Sequence, residues 1–293
     1  MNKRGCNSVI YSKFIKSEIE TCLSMKLSTI FTRLWNDYIA QNPSAGEIYN
    51  LFIKEGEKVV NDHIAFRTLD YHETDIDVLA LPFICNGYVS KGEYFFKEKH
   101  LYAKHYESSG DKKAPRIFIS RLILSECSEF LQKTFRESFE KVNPAKLHST
   151  ELIFSGSIFD LLSFEVYNKL REESEYAAWF YVFGFRANHF TVSINALKKY
   201  DNIVRVNELL LENGFILNTS GGEIKGTPAD LLQQSSTVAD TVKVNFLEGT
   251  FEVPCCYYEF AQRYTDPKGN LYNGFVASSA DKIFESTNYY ENK

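Results

Sequence analysis

Three short segments constrain the chain more than any others: NDHIAFRTL at 61–69, NHFTVSIN at 188–195 and CYYEFAQRY at 256–264. Each reads as a β-strand with one apolar face and one polar face. Strand side chains alternate, so His63, Ala65 and Arg67 point one way, and Asp62, Ile64 and Phe66 the other. His189, Thr191 and Ser193 oppose Phe190, Val192 and Ile194. Tyr257, Glu259, Ala261 and Arg263 oppose Tyr258, Phe260, Gln262 and Tyr264. The apolar faces suit a core. The polar faces are either solvated or line a cavity.

Composition favours the interior. The 293 residues are 44% hydrophobic and 24% charged, with 24 Phe and 18 Tyr, which suits a soluble, sheet-rich fold with a large core. A net charge of −5, with no basic excess, argues against a nucleic-acid partner. No apolar run reaches the roughly 18 residues of a membrane helix, so no membrane partner is expected. The N-terminus has positive charges but no apolar core of a secretory signal, and a cytoplasmic protein is expected. Six cysteines without C-x-x-C spacing read as reduced, mostly buried thiols, with Cys255 and Cys256 on opposite sides of one strand.

Residues 1–24 read as an N-terminal extension and 25–293 as one catalytic domain. Helical spacing begins near Leu27 and runs to Tyr38, and a second short helix ends near Gly56. HETDIDVLALPFICNGY reads as a helix, EYFFKEKHLYAKHYE as two strands, and APRIFISRLIL as a strand. SECSEFLQKTFRESFEKV reads as a helix capped by Ser125. After a helical stretch at about 146–184, the order strand, helix, several strands begins again. The chain thus divides into two βαβββ-like halves, about 57–145 and 185–280, with a helical insertion between them. A duplicated unit of this kind can curl its sheet around a central cavity.

His63, His189 and Glu259 are the candidate metal ligands. Two imidazoles and a carboxylate form the facial triad of non-heme Fe(II) enzymes, which leaves positions open for a chelating substrate and O2. The same ligand types also surround catalytic zinc. Arg67 lies about 7 Å along the strand from His63, where a guanidinium can hold a substrate carboxylate. Arg263 stands in the same relation to Glu259, as a structural partner or a second clamp. His105 is at most a supporting residue, and His72, His100 and His148 read as loop histidines.

NDHIAFRT, NHFTVSIN, GGEIKGTPADLLQQSSTVAD and YYEFAQRY together resemble the 2-oxoadipate dioxygenase/decarboxylase family, over about residues 25–280. The resemblance implies an α+β fold like that of the vicinal-oxygen-chelate enzymes: a mixed β-sheet curled around a central metal cavity, with flanking and inserted helices. It implies Fe(II) held by His63, His189 and Glu259, and a substrate carboxylate on Arg67. Lys225, Gln234, Ser235 and Ser236 would belong to the pocket wall. The implied partners are a 2-oxo acid and O2. The implied reaction converts 2-oxoadipate to 2-hydroxyglutarate and CO2, in lysine breakdown. Two other readings compete: a vicinal-oxygen-chelate lyase, isomerase or hydrolase using Zn or Mn, and a small-molecule binding protein without turnover.

Overall fold

Ile30, Leu34 and Tyr38, four residues apart, form the buried stripe of α1 (Leu27–Gln41). Pro43 then opens α2 (Pro43–Lys54), at a position where its missing N–H costs nothing. The computed structural model describes residues 25–147 and 150–276. The expected extension at 1–24, His148 and residues 277–280 of the second half lie outside the described residues, as does the His72 side chain. The remaining elements in chain order are β1 (Asn61–Leu69), α3 (Ile76–Ile84), β2 (Tyr88–Phe96), β3 (Leu101–Ser108), β4 (Arg116–Leu122), α4 (Glu129–Glu140), the one-turn α5 (Pro144–Leu147), α6 (Phe164–Glu173) and α7 (Glu175–Phe183). They continue with β5 (Ala187–Ser193), α8 (Ile203–Glu212), β6 (Leu232–Ser236), β7 (Thr241–Phe246), β8 (Gly249–Pro254) and β9 (Glu259–Arg263).

Seven strands form one mixed sheet in the order β2-β3-β4-β1-β5-β9-β6, curled into a half-barrel; β7 and β8 pair separately as a hairpin. The topology repeats. β1 is parallel to β4, β5 is parallel to β9, and the two sets meet where β1 and β5 pair antiparallel. The predicted apolar faces pack outward onto helices. Phe190 meets Trp35 at 5.1 Å and Tyr38 at 4.9 Å, and Phe66 meets Phe83 of α3 at 5.6 Å. The polar faces are not solvated: β1 is buried from Asp62 to Leu69.

The inserted helix α7 is buried from Tyr176 to Phe183, as a helix apolar on all sides must be. It ties the two halves together. The Tyr176 hydroxyl accepts from the Thr68 N–H (3.0 Å) and donates to the Ser120 carbonyl (2.7 Å), so it joins β1 and β4. The Trp179 indole donates to the Cys255 carbonyl (2.6 Å), just before β9. Gly184 ends the helix at φ +60°, where a Cβ would lie 2.3 Å from the Gly156 carbonyl oxygen.

Three local expectations need correction. Ser128, not Ser125, caps α4 by accepting from the Leu131 N–H, because Leu124–Glu126 forms a separate 3-10 turn. Cys255 and Cys256 follow the end of β8 and do not alternate; their sulfurs lie 3.7 Å apart. Cys127, Cys255 and Cys256 are free thiols, but Cys85 is disulfide-bonded. Spatial proximity, which residue spacing does not show, decides such a bond.

The β7–β8 hairpin clamps the insertion. Phe251 stacks on Phe164 at 3.7 Å between ring centroids. In the hairpin turn, Glu248 accepts from the Ser163 hydroxyl (2.6 Å) and the Phe164 N–H (2.7 Å) at the start of α6. These hydrogen bonds, the Ser163 hydroxyl foremost, lower its pKa to about 2. Glu248→Ala should reduce Tm by about 2–4 °C, the effect of a lost helix cap in a chain of this size. A depressed carboxyl stabilises above its unfolded pKa and loses that effect as pH falls through the folded value. The Tm difference from the parent, measured calorimetrically, should therefore be full above about pH 4.5 and shrink toward pH 2.

Candidate metal centre

The fold brings three of the predicted residues together. His63 on β1, His189 on β5 and Glu259 on β9 are buried, with one ligand atom of each within 4.8 Å of the others. The two Nε2 atoms lie 3.3 Å apart. Glu259 Oε1 is 3.4 Å from His63 Nε2, and Oε2 is 3.4 Å from His189 Nε2. The strand register explains the convergence. His63 stands opposite Thr191, Ala65 opposite His189, and Thr191 opposite Glu259.

The residues around the triad fix its orientation. Asp62 Oδ1 lies 2.8 Å from His63 Nδ1 and accepts its N–H, which leaves the Nε2 lone pair facing inward. Burial pushes the Asp62 carboxyl up, but the Arg263 charge and the hydrogen bonds from His63 and Arg263 outweigh it and hold the carboxyl well below its usual range. Burial, then the charges of His63 and Arg67, holds His189 well below the usual histidine value, so it stays neutral and able to ligate. The Gln234 amide donates to Glu259 Oε1 at 2.6 Å. Glu259 Oε2 is buried and accepts no hydrogen bond among the described residues. A buried carboxylate oxygen without a donor is costly unless a cation meets it. The His63 Nε2 lone pair and, in the Nδ1–H tautomer with the Asn188 amide oxygen as acceptor, the His189 Nε2 lone pair fit a divalent metal beside that oxygen.

Two β-bulges shape this surround. The register steps from Asn61 to His63 while β5 steps once, and Asp62 is the extra residue. On β5 the extra residue is Asn188, whose amide lies 3.2 Å from His189 Nδ1. Strict alternation put Asp62 on the opposite face and so hid both partners. The sequence does carry a signal, since Asp62-His63 and Asn188-His189 repeat one polar-histidine pair.

The other predicted residues divide. Arg67 is 1% exposed, with its guanidinium 5.0 Å from the Tyr176 ring centre and 4.9 Å from that of Trp179. It also lines a cleft of about 360 Å³ between Leu101 and Leu122 on one side and Arg171 and Tyr176 on the other. Lys225 is buried and pairs with Gln234, which places both on the face of Ala261; its ammonium donates to the Asn218 carbonyl at 2.5 Å. Ser236 stands opposite Glu259. Ser235 points away and donates to Asn207 of α8 at 2.7 Å, as strand alternation from Gln234 requires. Arg263 is not a free clamp: Nε and Nη2 grip Asp62 at 2.7 and 2.8 Å, and Nη1 donates to the carbonyls of Tyr272 and Gly274. His105 is buried between the Tyr94 hydroxyl (2.8 Å) and Glu107 (3.1 Å), and His100 pairs with Glu126.

The profile of the 2-oxoadipate dioxygenase/decarboxylase family matches residues 21–153 and 159–271. The chain belongs to this family. An Arabidopsis thaliana 2-oxoadipate dioxygenase/decarboxylase, named as chloroplastic, is 35% identical over 276 residues, covering 85% of this chain and 74% of the relative. The crystal structure of an Oryza sativa hydroxyglutarate synthase in complex with 2-oxoadipate superposes with a TM-score of 0.85 at 34% identity, covering 89% of this chain and 91% of that one. A Shewanella frigidimarina NCIMB 400 protein, provisionally named a hydrolase, gives 0.82 at 46% identity, covering 86% and 98%. A Ralstonia eutropha JMP134 protein provisionally placed in the glyoxalase superfamily gives 0.68 at 18% identity, covering 83% of each chain. That likeness shows the fold, an α+β half-barrel of the vicinal-oxygen-chelate kind. Among the described residues no helix is long and apolar enough to cross a membrane.

Glu259→Gln should abolish tight divalent-metal binding by titration calorimetry. The metal-free variant should be at least as stable as the parent, because it no longer buries a carboxylate that burial pushes up in pKa.

Proposed function

We propose that the chain is an Fe(II)-dependent dioxygenase that converts 2-oxoadipate and O2 to 2-hydroxyglutarate and CO2. The observation that carries this reading is the buried His63, His189 and Glu259 cluster beside the buried Arg67, in a chain of this family. It is supported by a relative of 34% identity whose structure holds 2-oxoadipate. One catalytic domain of two βαβββ-like halves, a cytoplasmic location and a place in lysine breakdown belong to the same proposal.

His63, His189 and Glu259 would hold the iron. Bound Fe(II) would supply electrons to O2 and seat the keto and carboxylate oxygens of the substrate. Arg67 then holds the far carboxylate and fixes which carbon of the shortened acid is hydroxylated. Lys225, Gln234 and Ser236 form the opposite wall, with Gln234 also fixing Glu259. Trp179 and Tyr176 flank the guanidinium and keep water from it. The atoms balance: one oxygen of O2 enters the new carboxylate, the other becomes the hydroxyl, and the original carboxylate leaves as CO2.

The test is anaerobic Fe(II) loading followed by O2 uptake with 2-oxoadipate, beside His189→Ala. Equal amounts of O2 consumed, CO2 released and 2-hydroxyglutarate formed, all lost in the variant, are expected. Turnover without O2 uptake would instead favour a non-oxidative metalloenzyme. Arg67→Ala should raise KM for 2-oxoadipate roughly 10- to 100-fold, as for a lost hydrogen bond to a charged group. Its iron content should match the parent's, and loss of iron would overturn this division of roles.

A further inference from the structure

After β9 the chain turns back, and residues 272–275 lie against the site. The two arginines that hold Asp62 also hold this segment. Arg263 grips Asp62 through Nε and Nη2 while Nη1 donates to the carbonyls of Tyr272 (3.2 Å) and Gly274 (2.7 Å). Arg116 reaches Asp62 Oδ2 at 3.4 Å and donates through Nη2 to the Asn273 side-chain oxygen. The segment ends on Phe275, whose ring stands edge-on to His63 at 4.8 Å and packs on Phe118 at 4.8 Å. The Phe275 N–H donates to the Tyr94 hydroxyl at 3.3 Å.

Charge explains why these contacts belong together. Two guanidiniums on one buried carboxylate leave an excess positive charge and more donors than Asp62 can accept. The carbonyls of Tyr272 and Gly274 and the amide oxygen of Asn273 supply the missing acceptors. Without this segment, Arg263 would be drawn toward water and its grip on Asp62 would loosen. His63 would then lose the acceptor that fixes its ring and its proton.

We propose that Arg263 is a positioning residue that couples the segment Tyr272–Phe275 to the metal ligand His63 through Asp62, so that metal affinity depends on the segment being in place. The proposal rests on the metal-centre reading above. Co(II), visible by its d–d absorption, serves as the probe with the full chain. Binding by the parent tests the metal centre itself, and its absence would overturn that reading. Given parent binding, Phe275→Ala should weaken Co(II) about 10-fold and change its spectrum, while Arg263→Gln should weaken it about 10- to 100-fold. The Phe275 ring also lies 5.3 Å from the Arg263 guanidinium, and if it acts through that contact rather than through its own contact with His63, the double variant should bind no more weakly than Arg263→Gln alone. A Phe275→Ala affinity within threefold of the parent, or losses that multiply in the double variant, would overturn the coupling. So would a lower Tm of the metal-free Phe275→Ala protein with unchanged Co(II) affinity and spectrum, the mark of a merely structural role. If Arg263→Gln does not fold, Asn273→Ala decides the question, because it removes the acceptor of Arg116 without touching His63, and a Co(II) affinity within threefold of the parent would overturn the coupling.

Discussion

A carboxylate taken out of water needs positive charge or donors, and this fold buries two of them at one place. Asp62 meets both kinds of partner: Arg263 in a two-point grip, Arg116 beside it and the His63 imidazole. Glu259 meets the Gln234 amide and two imidazoles, with no arginine or lysine at ion-pair distance among the described residues. The contrast assigns their roles. Asp62 is neutralised within the protein and serves as a fixed support. Among the described residues Glu259 keeps one oxygen without a hydrogen-bond donor, on the side of a cluster that could hold a metal.

The two bulges make the site asymmetric. Each half opens with a strand whose extra residue faces the Nδ1 of the following histidine. In the first half that residue is the anionic Asp62, and in the second the neutral Asn188. The two histidines thus have different supports, one anionic and one neutral. The third ligand comes from β9, parallel to β5, and strand β4 of the first half has Phe118 and Arg116 in the corresponding region. One half thus supplies a ligand and its support, and the other supplies two ligands.

The inserted helix α7 bears on Arg67 rather than on the two histidines and Glu259. α7 crosses from β1 and β4 to the start of β9, and the spacing of Tyr176 and Trp179 along it sets their rings beside Arg67. A guanidinium buried against aromatic faces is less free to wander than one in water. Its orientation is therefore set in advance, which would lower the cost of binding a carboxylate.

The alternating strands put His63, His189, Glu259 and Arg67 each on a known face in advance, because period-two patterning does so whatever the side chain packs against. It also placed Phe190, Tyr258 and Phe66 outward, as the helix contacts bear out. Alternation failed at Asp62 and Asn188, since a bulge is a property of strand pairing and not of one strand. It could not assign Arg263 either, because whether an arginine meets substrate or an internal carboxylate depends on a residue 201 positions away. Ser235 was read from a motif that did not say which way the strand turned. The sequence by itself determined which residue types could form the centre and which face each would take. Only the tertiary structure decided which of them meet and which charges are already neutralised, because both depend on register between strands far apart in the chain.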